Sequence, residues 1–138
     1  MNEAEAFMEI AERSIKAGDA AVIAGVHELG SFLANHAFEC TGGALCRSKG
    51  VHFHPLTHPK KIRTFINTAK PYRYGHSVAT LPTMLISLRN PCLYPRITPS
   101  GTVNAPKAVL TVTQAQRLLG RVKSFGNRPN LLLLTEGL

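Results

Sequence analysis

Asp19-Ala20-Ala21-Val22-Ile23-Ala24-Gly25-Val26-His27-Glu28-Leu29-Gly30-Ser31-Phe32-Leu33-Ala34-Asn35-His36-Ala37-Phe38-Glu39 opens the stretch on which the fold turns. Continued to Arg47, it predicts one long helix, Ala20–Arg47, with the Asp19 carboxylate as N-cap. Its candidate core residues are Val22, Ile23, Val26, Leu29, Leu33, Ala37, Phe38, Leu45 and Cys46. They occupy more than one stripe, the pattern of a helix covered on several sides by neighbours. Gly42-Gly43 weakens the run and predicts a bend or an early stop there, and Gly50 ends it. The expected class is all-α, an up-and-down bundle of about five helices.

On the N-terminal side, Phe7, Met8, Ala11 and Ile15 recur at helical spacing in Glu3–Lys16, with Gly18 placed as its C′ glycine. Downstream, Pro59 predicts the first position of a helix capped by Thr57 or His58. Ile62, Phe65, Ile66 and Ala69 form its apolar face, and Lys60, Lys61, Arg63 and Lys70 its outer one. Val78, Leu81, Leu85 and Leu88 give a further helix, His76–Asn90, with a kink or restart at Pro82. Pro91, Pro95 and Pro99 punctuate the next segment, and 98–107 is a polar linker without strand-like alternation. Thr113-Gln114-Ala115-Gln116 has the form of a capping box opening a last helix, with Ala115, Leu118, Leu119, Val122 and Phe125 on one face. Gly126-Asn127 stops it, so residues 1–126 read as one helical domain and 127–138, with four consecutive leucines, as a C-terminal tail.

Charge narrows the function. Residues 1–39 hold two basic side chains against seven acidic ones, whereas 40–138 hold fourteen against Glu136 alone. Such asymmetry points to a surface that meets polyanions or an acidic partner. No apolar run approaches the roughly 20 residues that span a bilayer, so no membrane role is expected. The acidic N-terminus lacks a signal-peptide pattern, and the three cysteines show no disulfide spacing. A cytoplasmic location is expected.

His52, His54 and His58 lie close together, but no Asp or Glu neighbours them in sequence and Cys46 is the nearest thiol, so no metal is expected. Neither a nucleophile elbow nor a phosphate-loop glycine pattern occurs, and no cofactor is expected. What remains is arginine chemistry on a basic scaffold. Ser87-Leu88-Arg89-Asn90-Pro91-Cys92-Leu93-Tyr94-Pro95 closes an apolar segment with an arginine whose fork suits phosphate, an asparagine and a tyrosine able to stack a base. Lys60, Lys61, Arg63, Lys70, Arg73 and Arg96, interleaved with Tyr72, Tyr74 and His76, make an electrostatic track for nucleic acid.

The order of these features resembles the HEPN (higher eukaryotes and prokaryotes nucleotide-binding) domain family over roughly residues 3–125. The matching points are a small-residue-rich second helix with His36-Ala37-Phe38-Glu39, the His58-Pro59 step, Arg73 before His76, Leu88-Arg89-Asn90 and a last helix after a linker. The resemblance implies a helical homodimer that binds RNA or nucleotide, as in toxin–antitoxin or defence systems. Many members are metal-independent ribonucleases built on an arginine, a polar residue and a nearby histidine. Arg89 and Asn90 match, while Tyr94 stands where the histidine would fall. Tyrosine, with a reference pKa of about 10, transfers protons poorly at neutral pH. Binding and dimerisation therefore carry over, and cleavage stays open. The alternative is a catalytically inactive module that pairs with a nucleotidyltransferase-type or acidic protein.

Overall fold

The computed structural model describes residues 2–53, 56–71, 75–81, 94, 96–106 and 111–123. Five helices occur in them: α1 (Glu3–Ile23), α2 (His27–Ser48), α3 (His58–Ala69), α4 (Gly75–Thr80) and α5 (Val112–Lys123). The class is all-α, a helical bundle.

The first connection departs from the sequence expectation. Gly18 does not end a helix and Asp19 caps none: α1 runs through both to Ile23. The turn falls at Gly25, whose φ of 84° is the left-handed conformation that glycine adopts without strain. Val26 N–H donates to the Ala21 carbonyl and Gly25 N–H to Val22, the paired bonds of a Schellman stop. The same two bonds recur after α2, from Val51 to Cys46 and from Gly50 to Arg47, where Gly50 has a φ of 71°. Val22 and Ile23 thus belong to α1, and Ile23 is 88% exposed rather than core. Val26 and Leu29 are also exposed.

Gly18 is mid-helix for a packing reason. A Cβ there would stand 2.7 Å from Leu119 Cδ2, and one on Gly30 would stand 2.7 Å from Val22 Cγ2. The two glycines let α1, α2 and α5 converge. Further along the α1–α2 pair, the Phe7 ring lies over Gly43, and Arg47 Nε meets Glu3 Oε2 at 2.8 Å. These pairings rise on one helix as they fall on the other, so α1 and α2 are antiparallel. The half-exposed Arg47–Glu3 pair is worth on the order of 1 kcal/mol, so the apolar contacts carry the seam.

Gly42-Gly43 does not stop α2, which is helical throughout His27–Ser48. Both glycines are seats for aromatic rings: a Cβ on Gly42 would lie 2.5 Å from Phe65 of α3, and one on Gly43 2.8 Å from Phe7 of α1. Cys40 to Cys46 is buried without interruption, as befits the central helix. Phe38 and Phe65 pack with centroids 4.9 Å apart, and Phe7 meets Phe53 edge-on at 5.8 Å.

The remaining elements differ in detail. Thr57 is the N-cap of α3 without a side-chain cap bond, and Pro59 lies in the first turn. In α4 the helix ends at Thr80 and the buried Leu81 is already a bend residue, while residues 82–90 of the expected His76–Asn90 helix lie outside the described residues. A short antiparallel ribbon, β1 (Arg96–Ile97) against β2 (Val103–Asn104), brackets the turn at the start of the polar linker, although the sequence there shows no strand-like alternation. Its turn follows from Thr98-Pro99-Ser100-Gly101: Pro99 presets φ, and Gly101 takes a φ of 84° and donates to the Thr98 carbonyl. The capping box of α5 is Thr111 with Gln114, bonded reciprocally at 3.1 and 2.8 Å, two residues before the expected frame. Both frames read Thr-x-x-Gln, and the earlier one lengthens the helix without losing its cap. Ala115, Leu118, Leu119 and Val122 are buried as expected, whereas Phe125 and the 126/127 boundary fall outside the described residues.

Candidate nucleic-acid interface

The candidate surface is the outer face of α3. Ile62, Phe65 and Ala69 are buried, and the Phe65 ring on Gly42 fixes the helix's rotation about its own axis. At 100° per residue, Lys60, Arg63, Asn67 and Lys70 then fall within about 80° of one another and roughly 150° from the buried face. All four are exposed. The stripe is about 15 Å long at 1.5 Å per residue. None of its three cations forms an ion pair with a described carboxylate. On the other helices Glu3, Glu9 and Asp19 face Arg47, Arg13 and Lys123, so acidic charge is partly balanced there while the α3 stripe stays cationic.

Not every expected residue joins this stripe. Lys61 is half-buried, with Nζ 5.6 Å from the Phe53 ring centroid, a cation–π contact on another face of α3. Tyr94 is 62% exposed. His76 is in α4, and Arg96 is in β1 opposite Asn104. Arg89, Asn90, Tyr72, Arg73 and Tyr74 lie outside the described residues.

A carboxylate distant in sequence does meet one of the clustered histidines. Glu39 Oε1 on α2 lies 2.5 Å from His58 Nδ1 at the start of α3. No acid neighbours these histidines along the chain, yet the fold brings Glu39 to His58. Nineteen residues separate the pair, and no short-range pattern announces it. One turn before Cys40, His36 Nε2 lies 3.8 Å from its Sγ. Among the described residues no group of three or more His, Cys, Asp or Glu side chains is arranged to hold a metal; His54 lies outside them.

Burial pushes the Cys40 thiol up to about 12, with Glu39 adding to the shift and Lys61 opposing it. Burial also raises Cys46, against the opposing effect of its hydrogen bond with Thr68. Both thiols are therefore neutral, poor nucleophiles at physiological pH. At pH 8, iodoacetamide should leave Cys40 and Cys46 unmodified in the folded protein while a denatured control reacts fully, as read by peptide mass spectrometry. Because Cys40 is raised from 9.0, its contribution to stability is complete below about pH 9 and is lost as pH climbs toward about 12.

No helix among the described residues is long and apolar enough to cross a membrane. Comparison with known proteins finds no matching family model, no curated relative and no similar solved structure.

Proposed function

We propose that the protein binds RNA, with the α3 stripe as its phosphate-contacting surface. The observation that carries this reading is the stripe itself: Lys60, Arg63 and Lys70 aligned and exposed on a helix whose opposite face is locked into the core. Lysine and arginine that neutralise phosphates release counterions, so binding tightens as salt falls. In the HEPN-like extension of this reading, Arg89, Asn90 and Tyr94 supply a second contact set across a homodimer seam. The 62% exposure of Tyr94 suits a base-stacking role.

Titration of a labelled single-stranded RNA across salt tests the proposal. Three phosphate contacts predict a contribution of about −2 to the log–log slope. The triple variant Lys60→Gln/Arg63→Gln/Lys70→Gln should flatten the slope by about that amount and weaken binding uniformly across sequences. An unchanged slope would remove α3 from the interface. Incubation of RNA with the protein in EDTA, beside Arg89→Ala, separates a binder from a ribonuclease: equal RNA survival identifies a binder.

A further inference from the structure

A second surface lies away from α3. Ile10, Ser14, Ala17 and Ala20 of α1, with Leu33 of α2, floor an open groove of about 740 Å³, and Arg13 and Lys16 form its rim. Ile10 is 42% exposed, and Leu29, one turn from Leu33 on the same side of α2, is 44% exposed. The floor is made largely of small side chains, which lets another backbone approach closely. From Ile10 to Ala20 it is about 15 Å long, matching two to three turns of a helix.

The charges indicate what fits. Residues 1–39 contain only two cations, Arg13 and Lys16, and both border this groove. Arg13 meets Glu9 at 3.8 Å, with the Arg13 side chain 81% exposed. An exposed i,i+4 pair is worth only a few tenths of a kcal/mol, so Arg13 can exchange Glu9 for an incoming carboxylate at little cost. We infer that the α1–α2 groove receives an acidic amphipathic helix from a partner protein, its apolar stripe on Ile10, Ala17, Ala20 and Leu33 and its carboxylates facing Arg13 and Lys16. This is helix-in-groove recognition, with anchors at spacings of three and four. It does not depend on the α3 stripe.

Fluorescence anisotropy with a labelled 16-residue helical peptide tests it. The peptide carries leucines at i, i+3, i+7 and i+10 with glutamates flanking them; a scrambled peptide of the same composition controls for bulk attraction to a chain of net charge +8. The amphipathic peptide should bind at least tenfold more tightly than the scrambled one. Ala17→Phe, which fills an exposed floor position, should abolish that difference with the helical circular dichroism intact. Arg13→Glu/Lys16→Glu should transfer the preference to a lysine-flanked version. The Lys60→Gln/Arg63→Gln/Lys70→Gln variant should keep the tenfold preference for the amphipathic over the scrambled peptide, which keeps this test separate from the RNA test. Equal binding of amphipathic and scrambled peptides, or no binding of either, overturns the proposal. A dimer in sedimentation equilibrium that Ala17→Glu dissociates also overturns it, because the groove would then be filled by a second copy.

Discussion

Gly42→Ala should destabilise the protein by about 1–3 kcal/mol, the range of an overpacked core, although alanine is the better helix former by roughly 1 kcal/mol. The added Cβ would stand 2.5 Å from Phe65 Cδ2 and 2.9 Å from Phe65 Cβ. Phe65 is 1% exposed, so its ring has no vacant space into which to retreat. The same change at Gly120 supplies the control. Nothing lies within 4 Å of a Cβ there, and Gly120→Ala on the outer side of α5 should stabilise by about 0.5–1 kcal/mol. Urea denaturation of the two variants reads the opposite signs directly. In a Phe65→Leu background, the Gly42→Ala penalty should shrink, because the smaller side chain can turn aside and the two sites are in contact. Equal stabilisation by both alanines would mean that α3 does not seat on α2 at Gly42.

Phe38→Ala should cost about 3–5 kcal/mol, the range for emptying a fully buried aromatic site. Phe38 is 0% exposed and its ring stacks at a tilt on Phe65, so the substitution opens a void under α3 and removes an aromatic pair. Against a total stability of roughly 5–15 kcal/mol, that is a large fraction. The thermal midpoint should fall on the order of 10–20 °C. Tyr94→Ala, on an exposed residue, should stay within about 0.5 kcal/mol of the unmodified protein. Calorimetry on the pair decides the matter; a Phe38 cost below about 1 kcal/mol would falsify the α2–α3 seam as core. Because that seam also fixes which way α3 faces, Phe38→Ala should weaken the proposed RNA binding even where the protein stays mostly folded.

The core of α3 and α5 was legible because each helix has one buried stripe: Ile62, Phe65 and Ala69, and Ala115, Leu118, Leu119 and Val122, follow 3.6-residue spacing. The basic stripe was legible for the same reason, since a helix that buries one face must expose the other. The first helix boundary was not. Lys16-Ala17-Gly18-Asp19 carries a complete stop-and-start signal, and Ala24-Gly25-Val26 carries a weaker one. A cap contributes about 1 kcal/mol, less than the burial of a leucine in a notch between two helices. Leu119 in the Gly18–Gly30 notch outweighs the local signal. The ribbon was readable in Thr98-Pro99-Ser100-Gly101 as a turn, but a two-residue pairing leaves too short an alternation to mark its strands. Glu39 against His58 had no sequence signature, because it depends on how α3 lands on α2.

The helical class, the central position of the Gly- and Ala-rich second helix, and the concentration of cations after residue 40 all come from the order of residues alone. Each of these is carried by periodicity or composition, which do not require knowing what touches what. Packing between distant segments set where the first hairpin turns and which capping frame opens α5. It also made Gly42 and Gly43 seats for aromatic rings rather than a helix end, and put Arg13 and Lys16 on the rim of an open apolar groove. Those outcomes rest on contacts between residues far apart in the chain, whose energies exceed the local preferences they override.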